Sequence, residues 1–226
     1  MARPTHGYVN AAGEKIPGTT TIIGRFKESG GLIQWAYARG KEHGSLIARN
    51  LPAPKHLYDE RDAAGAAGTI AHDMIEGEIL GKPWNVREES RELIDKARNA
   101  FNQFMEWREQ SKLEIVATEK SYVSEKHQFG GTVDAIGRDA KGRIVLLDWK
   151  TSNSVYSDML IQLAAYALLL EECSEYRPEG FHLLRVSKEN ADFSHHFFGE
   201  LDQAKRAFIL MRELYDIDKR LSKRAA

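Results

Sequence analysis

Two aspartates and a lysine stand where a strand would pack better with leucine or valine. Asp148 and Lys150 lie within Leu-Leu-Asp-Trp-Lys-Thr-Ser (146–152), and Asp134 within Gly-Gly-Thr-Val-Asp-Ala-Ile-Gly (130–137). A strand sends alternate side chains to opposite faces, so Asp148 and Lys150 share one face while Leu147 and Trp149 take the other. A buried charge without a partner is costly, so each needs a counter-charge, an ion or water. Asp139-Ala140-Lys141-Gly142 reads as a hairpin loop with its glycine in the left-handed position. That loop brings Asp134 near the level of Asp148. Two carboxylates side by side repel unless a cation lies between them. The simplest such cation is divalent, and hard carboxylate oxygens suit Mg2+ or Mn2+. The same spacing also fits an Asp148–Lys150 salt bridge at a strand end, with Asp134 as a surface residue beside the turn.

The elements that must position these residues follow from periodicity. Residues 32–49, 69–80, 88–110, 157–172 and 201–220 carry apolar side chains at helical spacing. Residues 115–124, 132–138, 143–149, 181–186 and 193–198 read as strands, with β-branched and aromatic residues in alternation. Residues 11–26 read as a short extended lead-in with turns at its glycines. The prolines of Asn-Leu-Pro-Ala-Pro-Lys-His (50–56) break the first helix and mark an exposed loop or hinge. Helices, then three strands, a helix, two more strands and a last helix give an α/β or α+β domain around a central mixed sheet.

Composition excludes several classes. The chain has 226 residues, 42% hydrophobic and 29% charged, which suffices for a sizeable core. A formal net charge of -1 gives no bulk attraction to nucleic acid or membrane, though a local basic groove remains open. The one cysteine, Cys173, permits no intrachain disulfide and reads as a small packing residue at a helix end. No secretory signal opens the sequence, and the most apolar stretch, 160–170, is interrupted by Gln162 and too short to span a bilayer. These features point to a cytoplasmic protein with no membrane partner. Arg39 and Lys41 are candidate phosphate contacts, with Trp35 or Tyr37 as candidate stacking platforms beside them. For both aromatics core packing is the stronger expectation. The basic residues of the last helix alternate with Glu213, Asp216 and Asp218 and read as a solvated face. There is no helix-turn-helix or zinc-finger pattern, so little sequence specificity is expected.

At this point the chain resembles a known family. Gly-Thr-Val-Asp (131–134) followed by Asp148-Trp149-Lys150 resembles the PD-(D/E)XK nuclease signature, with Val133 in place of the motif's proline. Gly-Thr-Ile-Ala-His (68–72) and Gln-Leu-Ala-Ala-Tyr (162–166) resemble the Gly-x-x-x-His and Gln-x-x-x-Tyr elements of the RecB-like branch. All four occur in the expected order between Gly68 and Leu170. Pro-Gly-Thr-Thr-Thr-Ile-Ile-Gly-Arg-Phe (17–26) is similar to the start of small phage-type exonucleases. The resemblance implies a restriction-endonuclease-like α/β core, a central mixed β-sheet flanked by helices, with an N-terminal helical elaboration. One domain is expected: elaboration 1–67, catalytic core 68–200, C-terminal helix 201–226.

The resemblance also implies roles. His72, Asp134, Asp148 and the Trp149 carbonyl would bind one or two Mg2+ or Mn2+ ions. Asp134, Asp148 and Lys150 would be catalytic, with Lys150 orienting or deprotonating water and holding the scissile phosphate. Gln162, Tyr166, Thr151 and Ser152 would brace the site or touch substrate. The implied activity is a metal-dependent deoxyribonuclease, an exonuclease acting on DNA ends or single strands. Its implied setting is DNA processing, replication or recombination in a bacterial or phage-infected cell, with proteins of those pathways as partners. The chemistry agrees, because phosphodiester hydrolysis needs an activated water and stabilisation of added negative charge. Glu119 alternates with Ala117 and Ser121 and could face the site, with the surface the stronger expectation. Glu76, one turn beyond His72, could reach the same ion, with a supporting or solvated role the stronger expectation. His127, His195 and His196 read as surface or loop residues. A catalytically silent nuclease fold, serving as a DNA-binding or assembly module, would lack Asp134, Asp148 or Lys150, and all three are present. A Schiff-base lysine is a third class, disfavoured by Asp148 on the same face as Lys150.

Overall fold

Alternating residues in the middle of the chain pair into one sheet, and the segments with helical spacing cover its two faces. The computed structural model describes residues 7–27, 30–53, 59–82, 91–186 and 193–225. Two short strands, β1 (Tyr8–Val9) and β2 (Lys15–Ile16), pair antiparallel at the start. Helices α1 (Thr19–Phe26), α2 (Gly30–Ala48), α3 (Asp59–Leu80) and α4 (Arg91–Ser111) follow. Next come β3 (Glu114–Ser124), β4 (Phe129–Arg138) and β5 (Ile144–Thr151), then α5 (Ser157–Cys173), β6 (Gly180–Val186), β7 (Phe193–Phe198) and α6 (Asp202–Ala225).

The main sheet has the order β3-β4-β5-β6-β7. Only β5 and β6 run parallel, and α5 supplies the crossover that a parallel pair requires. On one face, Ile22 of α1, Leu163 and Leu170 of α5 and Phe208 of α6 pack with Ile136, Leu146 and Leu183. On the other, Ile75 of α3 and Phe104 of α4 pack with Ala135, Val145, Leu147, Trp149 and Leu184. The architecture is the expected helix-flanked mixed sheet. Leu147 and Trp149 turn into the second core, as strand alternation requires. No helix among the described residues is long and apolar enough to cross a membrane.

Three expectations need correction. The lead-in is not extended throughout, because α1 occupies 19–26. Its three threonines have little intrinsic helix preference. Thr19, Ile22 and Ile23 are nonetheless all buried at i, i+3 and i+4, and the Thr19 hydroxyl donates to the Gly130 carbonyl at 3.1 Å. Packing, not propensity, sets this helix. Tyr37 is 70% exposed rather than in the core, and Cys173 is exposed, its thiol 3.1 Å from the Val123 carbonyl. Part of the 50–56 loop lies outside the described residues.

Helix α3 begins ten residues before the expected start and crosses the end of β5 at Gly68. A Cβ added at Gly68 would collide with Cβ and Cγ2 of Thr151. Glycine inside a helix costs about 1 kcal/mol relative to alanine, so its use here reflects the close approach of helix and strand. That approach sets His72, one turn later, over the strand end. Gly68→Ala is therefore expected to lose about 1–3 kcal/mol through overpacking. Calorimetry should register a melting point several degrees lower.

Candidate active site

The β4–β5 hairpin places the two aspartates. Its rungs run Arg138↔Ile144, Gly137↔Val145, Ile136↔Leu146 and Ala135↔Leu147. One further step sets Asp134 across from Asp148, and there the ladder stops. The Trp149 amide donates instead to Asp134 Oδ2 at 3.2 Å, so a carboxylate takes over the bond that a strand carbonyl would have made. Asp134 is 2% exposed and Asp148 fully buried. Lys150 Nζ lies 2.5 Å from Asp148 Oδ2, with the lysine side chain 19% exposed. Asp148 Oδ1 has no hydrogen-bond partner among the described residues. Burial, above all, raises the Asp148 carboxyl to about 7; the Asp134 carboxylate pushes the same way and the Lys150 ammonium opposes both.

Strand β3 and helix α3 close the other side. His72, Glu119 and Asp134 each offer a ligand atom, and these atoms lie within 4.8 Å of one another. His72, Asp73 and Glu76 form a second such group along α3. A cleft of about 390 Å³ is lined by Gly68, Thr69, His72, Asp73, Glu76, Glu119 and Thr151. Glu119 is thus a cleft residue, the alternative its strand position left open, and not the surface residue that was the stronger expectation. Its alternation with Ala117 and Ser121 was the available signal. The His72 ring also meets the Trp149 ring edge-on, centroids 6.0 Å apart. One imidazole nitrogen, gathered carboxylate oxygens and a buried carboxylate oxygen lacking a donor form a set that fits a hard divalent cation.

The other expected site residues sit close by with structural contacts of their own. Thr151 packs against Gly68. The Ser152 hydroxyl donates to the Ser154 carbonyl at 2.7 Å, and its backbone amide to the Val186 carbonyl at 2.9 Å, so Ser152 shapes the turn after β5. Gln162 Nε2 donates to the Tyr166 hydroxyl at 2.6 Å, joining the i,i+4 pair on α5. Tyr166 is buried against Gly131, where a Cβ would come within 2.9 Å of its ring. Tyr8, Thr19, Thr20, Thr21 and Thr132 line a groove of about 340 Å³ with it.

No curated protein matches by sequence. Among solved structures, the chain is similar to a putative exonuclease from Eubacterium rectale, at 13% identity over 76% of this chain and 69% of that one, TM-score 0.44. It is also similar to an alkaline exonuclease (LHK-Exo) from Laribacter hongkongensis, at 13% identity over 85% of this chain and 99% of that one, TM-score 0.31. LHK-Exo in complex with dAMP matches at 11% identity over 71% of this chain and 98% of that one, TM-score 0.33. The family model of the PD-(D/E)XK nuclease superfamily matches residues 47–223, a span that holds α3, the whole main sheet and every residue of the cleft. The chain belongs to the PD-(D/E)XK nuclease superfamily.

Proposed function

We propose that this chain is a divalent-metal-dependent deoxyribonuclease, an exonuclease that hydrolyses phosphodiester bonds at DNA ends or in single strands. The observation that carries the reading is the open end of the β4–β5 ladder. There Asp134, the fully buried Asp148 and Lys150 meet beside His72.

His72, Asp134, Asp148 and the Trp149 carbonyl would hold Mg2+ or Mn2+. A bound ion supplies Lewis acidity and a water of lowered pKa. The chain's own residues do the rest. Asp148 fixes the Lys150 ammonium at 2.5 Å, so the lysine reaches the site as an oriented donor. We assign that donor to a non-bridging oxygen of the scissile phosphate, where negative charge grows in the transition state. The Asp134–Trp149 bond holds the strand end in register, so both carboxylates keep their aim. Thr151, Ser152 and the Gln162–Tyr166 pair brace the strand end and the helix above it. The sequence carries no helix-turn-helix or zinc-finger pattern, and Lys150 supplies a cation at the strand end for a phosphate. That supports backbone contact and weak sequence preference, with binding that falls as salt rises.

End-labelled single- and double-stranded DNA, incubated with the protein and either Mg2+ or Mn2+ across a range of salt, tests the reading. Progressive shortening from one labelled end is expected, abolished by a chelator. Intact substrate with both metals at every salt concentration would overturn the assignment.

A further inference from the structure

Among the rungs that join β3 and β4, one is missing. Thr118 pairs with Ala135 and Lys120 with Val133, yet Glu119 and Asp134 between them do not pair. The register is the same on both sides of the gap, so no residue has been inserted as in a bulge. The rung has been opened instead. Glu119 has φ +48°, in the left-handed region that a non-glycine residue in a strand seldom adopts. A strand gives up a favourable backbone angle and a rung only where another interaction over-determines the position. A solvated glutamate on an outer face would need neither sacrifice. Here the departure coincides with the place where Glu119, Asp134 and His72 bring their ligand atoms within 4.8 Å.

Those separations suit one ion. Ligand atoms about 2.1 Å from a six-coordinate Mg2+ lie roughly 3 Å apart when adjacent and about 4.2 Å apart when opposite. A second observation points to a cation beside this group. Asp148, fully buried and opposite Asp134 on the hairpin, pairs one carboxylate oxygen with Lys150 and presents an Oδ1 for which no described residue supplies a donor.

We propose that Glu119 is a further metal ligand, contributed by β3, and that the opened rung exists to bring it beside His72 and Asp134. This rests on the reading of the cleft as a metal-dependent centre. The centre then draws on three directions: the imidazole from α3, a carboxylate from β3, and Asp134 and Asp148 from the hairpin. An additional anionic oxygen tightens the hold on a divalent ion. The imidazole tilts the preference toward Mn2+ over Mg2+, since nitrogen is the softer donor.

Direct metal binding gives the test, without reliance on turnover. Free Mn2+ is titrated by electron paramagnetic resonance against the full chain and four variants. Glu119→Gln keeps the side chain's shape and is expected to weaken Mn2+ binding tenfold or more. Glu119→Gly is expected to weaken it as much while the metal-free protein melts no lower than the parent, because glycine accepts φ +48° without strain. Asp73→Asn, on the exposed side of α3 beside His72, reads the alternative grouping of His72 with Asp73 and Glu76 and is expected to weaken binding far less than Glu119→Gln. Asp134→Asn serves as the reference for the centre itself. If Asp134→Asn loses Mn2+ and Glu119→Gln does not, this proposal fails and the nuclease reading stands. If neither changes the affinity, the metal-centre reading fails with it. If Asp73→Asn loses Mn2+ while Glu119→Gln keeps it, the ion belongs to α3 alone and the proposal is overturned.

Discussion

Lys150→Ala is expected to bind Mn2+ nearly as well as the parent and to cleave DNA roughly 100- to 1,000-fold more slowly, the usual loss for one transition-state donor. The reason is the division of labour at the strand end. Lys150 contributes no ligand atom, so its removal leaves the imidazole and the carboxylates in place. Its ammonium pairs with Asp148 at 2.5 Å, and under the proposed reading it is the donor to the scissile phosphate. A donor that acts on charge developing in the transition state lowers the rate when removed and leaves ground-state binding almost untouched. Single-turnover cleavage at saturating DNA, beside a Mn2+ titration of the same preparation, separates the two effects. Lys150→Arg should recover little, because a planar guanidinium cannot place one donor where the compact ammonium sat. Full activity in Lys150→Ala would move the chemistry away from this strand.

The hairpin was legible because it obeys local rules. Charges at 148 and 150 and apolar residues at 147 and 149 can satisfy strand alternation in only one orientation, and a loop ending in glycine fixes what lies opposite. The packing of Leu147 and Trp149 against α3 and α4 follows directly. Glu119 was only half legible: alternation with Ala117 and Ser121 allowed it to face the site, but nothing local decided it. Its position depends on a left-handed angle that glutamate does not advertise, and on a missing rung that no sequence pattern encodes. Helix α1 escaped for a related cause: threonine-rich segments favour extended structure locally, and only burial of Ile22 and Ile23 under α5 and α6 overrides that preference. Gly68 could be read as part of a motif, but its purpose could not. The close approach to Thr151 is a fact about two elements, and one segment cannot disclose it. What remained hidden, then, is what forms only when distant elements meet, and at this site that includes the side of the cleft supplied by β3.

The charge held at the open ladder end should make the metal-free protein lose stability between about pH 4 and pH 7. Asp148 ionises at about 7 in the folded chain, mainly through burial, against an ordinary value of 3.8. The sign follows from proton counting. Below about pH 4 both folded and unfolded chains hold this proton, and Asp148 costs folding nothing. Between about 4 and 7 the unfolded chain releases the proton while the folded chain keeps it, so stability declines as pH rises. Above 7 the buried carboxylate is charged and the loss, on the order of a few kcal/mol, is complete. A divalent ion reverses this by binding the ionised form, so metal should stabilise the protein more at pH 8 than at pH 5. Asp134→Asn removes the neighbouring negative charge that also raises Asp148. The variant should therefore melt higher than the parent in chelator at pH 8, with little difference at pH 5, and gain far less from Mn2+. Calorimetry of both proteins at the two pH values, with chelator and with Mn2+, supplies the eight melting points needed. A parent whose metal-free stability is flat from pH 5 to 8, together with an undiminished Mn2+ response in Asp134→Asn, would mean that the two carboxylates do not share a cation.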